Sequence, residues 1–333
     1  MKVVRVLAMK LRGIRRRVMV SLISVCTLVS VQGLSAAPEY TVCAEACDFT
    51  TIQEALEASS TSSGAVLILS EPVHTEAGIT IAHDVTIHGD SRLVRPIIQA
   101  HDSLTAATDR ILLIQEGATV TLKNLTLRHG RAPRKTYPPS GGALCNYGTL
   151  TLDDCAVTHN QATDGGAILN RGTLTITNSL FSDNVADGLH PDRALQCGSG
   201  GAIKAETGEL IMTRTTLRQN VASEKGGGLF IACHTTALVT ESLIRDNRAT
   251  RGGGGLYVRG QLRLLQSTVE HNVTSGVGGG LFIHGEVAFS RNTLRENTGY
   301  DCYLKTKHPY KNDGIIVENT GNTIADGSCP PGP

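Results

Sequence analysis

Six side chains that lie close in sequence carry charge and proton-transfer chemistry: His190, Asp192, Arg193, Lys204, Glu206 and His234. A lyase needs a base and a charge neutraliser close together, and these residue types supply both. The same types also suit a solvated loop and strand face. Asp153 and Asp154 are adjacent carboxylates. On a strand they point to opposite faces, so they do not by themselves form an acid/base pair. A third group is aromatic. Phe230, Tyr257 and Phe282 recur at one repeat position, and stacked strands would set them about 5 Å apart as an outward ladder. Such a ladder binds sugar rings or a protein partner, unless the tail with Tyr300, Tyr303 and Tyr310 covers it. No CxxC pair and no paired histidine spacing occurs. No metal or cofactor is therefore expected.

The elements that must position these residues form a repeat. Six times a Gly-Gly-[Ala/Gly]-[Ile/Leu] start is followed by an asparagine. The starts are Gly141, Gly165, Gly200, Gly226, Gly253 and Gly278; the asparagines are Asn160, Asn184, Asn220, Asn247, Asn272 and Asn297. A fixed period of this length marks a stacked solenoid. The fourth position is always Ile or Leu, and it alternates with the sixth, so both are expected to face inward. Lys204, Phe230, Tyr257 and Phe282 then hold the outward fifth position. A glycine follows in most units (Gly148, Gly172, Gly208, Gly260, Gly285) and turns the chain into a second strand such as Thr149-Leu150-Thr151-Leu152. A row of small residues, Cys155, Ser179, Thr215, Ser242, Ser267 and Asn292, is expected to point inward. Three short strands per coil with aligned rows predict an all-β, single-stranded right-handed parallel β-helix. The asparagines are expected to take a left-handed turn and to stack as a structural ladder.

Residues 38–62 are expected to cap the first coil with a short helix. Ile52, Ala55 and Leu56 share one helical face, with Asp48 or Thr50 as cap. Short strands then run from Ala65 to Leu127 as the first, less regular coils. The β-helix is expected over 63–299, with regular repeats over 141–297 and a C-terminal cap or tail over 300–333. Residues 131–140 and 187–199 interrupt the repeat at one phase, so both loops should emerge on the same side, about 10 Å apart.

Met1 to Ala36 reads as a secretory signal, with seven basic residues before an apolar run and small residues for cleavage. The alternative is a retained anchor. The whole chain has 31 basic and 30 acidic residues. Without the signal the balance turns mildly acidic, which argues against a nucleic-acid partner. Eight cysteines remain. Cys43 with Cys47 and Cys302 with Cys329 are the disulfide candidates; Cys145, Cys155, Cys197 and Cys233 allow three pairings.

Gly165-Gly166-Ala167-Ile168 followed by Phe181-Ser182-Asp183-Asn184 resembles the paired GGA[ILV] and FxxN repeats of the polymorphic outer-membrane protein family. The resemblance spans residues 141–297. It implies the β-helix passenger of an autotransporter, used in adhesion. No run of amphipathic strands long enough for a translocating barrel follows the repeats, so self-anchoring is not expected. Phe49-Thr50-Thr51-Ile52-Gln53 and Val85-Thr86-Ile87-His88-Gly89-Asp90 are similar to the first coils of pectin-processing β-helix enzymes, which implies a pectate-lyase-like solenoid. Polygalacturonase-like motifs are incomplete here: Asp153-Asp154 stands alone, without the GHG and RIK coils. The expected function is an exported, monomeric β-helix that binds a polysaccharide or a cell-surface protein. The alternatives are a polysaccharide lyase or glycoside hydrolase beside the loops 131–140 and 187–199, and a structural surface protein. The expected location is extracellular, cell-surface or periplasmic.

Overall fold

The computed structural model describes residues 37–62, 64–93, 95–133, 139–189, 198–305, 315–325 and 329. The expected signal peptide at 1–36 lies outside them. The described chain is a right-handed parallel β-solenoid of about ten coils with one short helix.

The coils lay short strands on three main faces, and five coils add a fourth, two-residue strand beyond the three expected: Gln161–Ala162, Val185–Ala186, Val221–Ala222, Arg248–Ala249 and Val273–Thr274. The first face stacks Leu112–Ile114, Leu144–Asn146 and Ile168–Asn170 in parallel register, then continues to Cys302–Leu304. The second runs from Glu39–Val42 and Ala65–Leu69 through Thr149–Asp153 to Ile315–Thr320. The third runs from Val73–Thr75 to Thr323–Ile324. In two coils the first and second strands merge, as Ile203–Thr213 and Leu229–Thr240. Alternation fills the core: Leu150 and Leu152 are buried while Thr149 and Thr151, which alternate with them, face out. Strands at Glu39–Val42, Val73–Thr75 and Ile97–Gln99 escape a reading based on apolar runs, because Glu39, Tyr40, His74 and Gln99 interrupt them.

The glycine pairs have two separate reasons. The first glycine of each pair sits at positive φ, from +54° at Gly165 to +71° at Gly141 and Gly200. The second has no room for a side chain: a Cβ on Gly166 would lie 2.2 Å from the carbonyl oxygen of Gly201 in the next coil.

The asparagines stack inside the corner. Asn184 donates its N–H and its Nδ2 to Asn220 Oδ1, at 3.1 and 2.9 Å. Asn220 repeats both bonds to Asn247. The last rung is a carboxylate, Asp301, which accepts both bonds from Asn297. The left-handed turn belongs to the residue before each asparagine, not to the asparagine: His159, Asp183, Gln219, Asp246, His271 and Glu296 have φ from 54° to 59°. This corrects the expected assignment. The ladder needs the asparagine pointing inward, so the strain moves one residue back. The small row forms a second ladder, in which Thr215 N–H donates to Ser242 Oγ and Ser242 N–H to Ser267 Oγ.

The helix Ile52–Ser59 covers the first coil with Ile52, Ala55 and Leu56. Its cap is Thr51, not Asp48 or Thr50: Thr51 Oγ1 accepts from Glu54 N. Asp48 instead accepts from Thr41. Glu76 takes the N–H groups of Ile52 and Gln53. Disulfides join Cys43 to Cys47 and Cys302 to Cys329. Cys145, Cys155 and Cys233 are free thiols, so the central pairings considered from sequence are not made among them. Cys145 faces out of the first face whereas Cys155 sits in the core. Cys197 lies outside the described residues. No described helix is long and apolar enough to cross a membrane.

Asn220→Ala leaves two buried donors of Asn184 without an acceptor. The expected loss is about 2–5 kcal/mol of stability, read by urea denaturation. Thr151→Ala on the outer face should stay within about 0.5 kcal/mol.

Candidate functional site

The outward row of the first face runs Cys145, Leu169, Lys204, Phe230, Tyr257, Phe282, Tyr303 in strict register. It changes character at Lys204. The side beyond it is an aromatic stack; the side before it meets a polar corner.

The stack has ring centroids 5.4 Å apart for Phe230 and Tyr257, 4.5 Å for Tyr257 and Phe282, and 5.2 Å for Phe282 and Tyr303. It faces away from the core, yet it is not open. Phe230, Tyr257 and Phe282 are only 6%, 6% and 8% exposed, packed with Ala232, Val277 and Tyr303. The expectation of an exposed aromatic platform is therefore corrected. Coil spacing brings each ring against the next, so the faces a sugar would need are turned on one another. Lys225 Nζ lies 5.7 Å from the centre of the Tyr257 ring. Burial lowers the pKa of its ammonium.

The polar corner lies where the first strand turns into the second. Tyr147, Arg171 and Glu206 each follow the sixth position of their coil, so the fold brings them side by side. Lys204, 17% exposed, places its Nζ 3.1 Å from Asp164 Oδ2 and 3.8 Å from Glu206 Oε1. Arg171 Nε donates to Glu206 Oε2 at 2.6 Å. Arg171 Nη1 also donates to Tyr147 Oη at 3.4 Å, with its guanidinium 5.6 Å from the ring centre. Burial raises the pKa of the Tyr147 phenol, against the pull of Arg171. The neighbouring Cys145 thiol is likewise raised by burial, opposed by Arg110. Both groups thus stay protonated at neutral pH.

Asp164 joins this corner to a loop. Its Oδ1 accepts the N–H groups of Gly198 and Ser199, at 2.9 and 2.8 Å. Thr163 next to it donates its N–H to Pro139, and Gly188 donates to Thr163. The bases of both projecting loops therefore flank one turn, 163–164.

Of the residues expected from sequence, Lys204 and Glu206 come together. His234 pairs in register with Thr207 on the next coil, where it is exposed and makes no hydrogen bond to Lys204 or Glu206 among the described residues. His190, Asp192 and Arg193 lie outside the described residues. Asp164, Arg171 and Tyr147 were not foreseen. Their signal was positional: residues 147, 171 and 206 hold equivalent places in successive repeats. Asp153 is held by Thr177 Oγ1 and Asn178 Nδ2, and Asp154 by Arg95. Those carboxylates serve the turns. Among the described residues no group of three or more His, Cys, Asp or Glu is placed to hold a metal ion.

No family model matches the sequence, and no curated protein matches it. Among solved structures, the chain is similar to pectate lyase Pel9A, with a TM-score of 0.54 and 13% identity over 90% of this chain and 80% of that one. The pectin methylesterase from Aspergillus niger gives a TM-score of 0.40 and 13% identity, over 88% and 87%. The likeness to Pel9A establishes the β-helix fold.

Asp164→Ala should open the loop base, because two backbone donors lose their acceptor. Limited proteolysis should cut between Asp187 and Ser199 faster than in the parent. Tyr257→Ala should cost about 3 kcal/mol, as loss of a buried aromatic does, measured by thermal unfolding.

Proposed function

We propose that this chain is an exported β-helix protein that binds a glycan at the corner built from Lys204, Glu206, Arg171 and Tyr147. One observation carries the reading: a linked set of half-buried cations, carboxylates and a phenol stands at the base of both projecting loops. Sugar hydroxyls both donate and accept. A site offering a carboxylate edge beside a guanidinium edge matches that chemistry. The groups are held by one another, so little ordering is left to be done on binding. The name of Pel9A, a pectate lyase, supports a polysaccharide as the partner class, and the two disulfides support an oxidising compartment. The repeat supports kinship with the passenger domains of polymorphic outer-membrane proteins.

A second reading makes the same corner a polysaccharide lyase or hydrolase. An ammonium and a phenol in one linked set, Lys204 and Tyr147, favour it. Against it, Asp164 and Glu206 are each paired with a cation, whereas a general acid needs surroundings that favour its neutral form.

The test is retention on immobilised plant, algal and bacterial polysaccharides, with release of reducing or unsaturated ends followed in parallel. Retention without release, weakened at least about tenfold by Lys204→Ala and unchanged by His234→Ala, is the expected result. Release of ends that Lys204→Ala abolishes would replace binding with catalysis. Neither retention nor release on any polymer would leave a structural role.

A further inference from the structure

The row that carries Tyr147, Arg171 and Glu206 continues past the polar corner. It runs through Ala232 to Arg259, His284 and Lys305, which follow Val258, Ile283 and Leu304 on successive coils in parallel register. The N–H groups of Arg259, His284 and Lys305 donate to Ile231, Val258 and Ile283, at 2.8, 2.8 and 2.9 Å, so these turns are held coil on coil. Beyond Ala232 the row is basic, with Arg259 and Lys305 two coils apart, about 10 Å. Lys225 borders the same coils from the other end of the first-face strands. It stands in the turn before Leu229–Thr240, with its ammonium 5.7 Å from the centre of the Tyr257 ring. The aromatic stack is thus edged by cations on both sides.

These charges are not answered within the described chain. Arg251 is paired with Glu224 at 3.0 Å. The side chains of Lys225, Arg259 and Lys305 make no ion pair and no hydrogen bond among the described residues. Burial lowers the pKa of the Lys225 ammonium; Glu224 opposes this, and Arg259, Arg251 and Lys305 add to it. Like charges gathered in this way repel one another and gain from an anion set among them. Arg259 is exposed, and Lys225 and Lys305 are half-buried, so solvent reaches all three. Burial raises the pKa of the Tyr257 phenol, and Arg259 beside it opposes the rise. That phenol makes no hydrogen bond among the described residues.

We propose that this strip binds an acidic oligosaccharide laid along the solenoid axis, its anions against Lys225, Arg259 and Lys305 and a hydroxyl against the Tyr257 phenol. Charge complementarity selects an acidic sugar over a neutral one. The strip crosses the strands rather than following one, and each strand is paired on both sides, as Leu256–Val258 is with Leu229–Thr240 and Leu281–Ile283. An acidic peptide finds no backbone edge to extend there, whereas a sugar chain needs only side chains. A uronate carboxylate and a sulfate ester share the required chemistry. The strip begins two coils beyond Glu206, so the inference does not rest on the Lys204 corner.

Ligand-observed NMR titrations of the purified chain with trigalacturonate, sulfated maltotriose, maltotriose and triglutamate test it. At least one acidic trisaccharide should bind about tenfold or more tighter than maltotriose, and which one does identifies the anion. Arg259→Gln with Lys305→Gln should bring that affinity to the maltotriose level, and Lys225→Gln alone should weaken it about threefold. These side chains have no partner to lose, so the thermal midpoint should not fall. The same loss of charge elsewhere, by Arg218→Gln with Arg263→Gln, should leave the affinity as in the parent, and so should Lys204→Ala. Maltotriose or triglutamate binding as tightly as the acidic sugars, binding of none of the four, or an equal loss in the Arg218 and Arg263 pair would overturn the proposal.

Discussion

Everything in this molecule hangs on satisfying backbone groups at corners that no water reaches. A β-helix closes its sheets by stacking, but each coil must also turn, and at a turn the N–H groups lose their strand partners. The asparagine ladder answers this directly. One Oδ1 takes both the N–H and the Nδ2 of the coil before it, and each Nδ2 reaches a further carbonyl, as Asn220 does with Phe181. The side chain therefore repeats the coil spacing that the strands already impose. Because each rung depends on the next, the ladder also fixes the register of the faces it joins. Asp301 ends it with a carboxylate, whose side chain has no N–H that would need a further acceptor.

The same constraint decides where the chain can vary. The second glycine of each pair packs against backbone of the next coil, so this side of the coil tolerates no side chain at all. The turn just before it faces outward and carries no rung. That is where the chain expands, between residues 131 and 140 and between 187 and 199. An insertion there leaves every ladder bond intact. The polar corner lies beside these insertions because Asp164, in the unexpanded turn between them, hydrogen-bonds to the second loop and pairs with Lys204. The stacking rule thus gathers charge near the loops without any one coil having to build a pocket.

Periodicity made the fold legible. The Gly-Gly starts, the apolar fourth position and the asparagines all report the coil, because each is forced by a neighbour one period away. Local signals were weaker. Thr51 rather than Asp48 caps the helix, since Asp48 is drawn to Thr41 by a pairing that only the folded chain creates. The left-handed residue sits one before the asparagine, which no composition rule distinguishes. Outward positions were the least legible. Lys204, Phe230 and Tyr257 share one row, and sequence alone gives all three the same exposure. The structure buries the two rings, because like faces stack on like at coil spacing, and leaves the lysine at the edge of the stack.

That contrast bears on function. In a solenoid an outward row behaves as one continuous strip, and its chemistry is set by which neighbours repeat. Where the repeat is kept, as from Phe230 to Tyr303, side chains satisfy each other and the strip becomes part of the scaffold. Where it breaks, as between Leu169 and Lys204, unlike groups stand side by side and pair with charges on the same and neighbouring coils. Binding chemistry on this fold should therefore be sought at breaks in the outward rows rather than along their regular stretches, and the Lys204 corner lies at such a break.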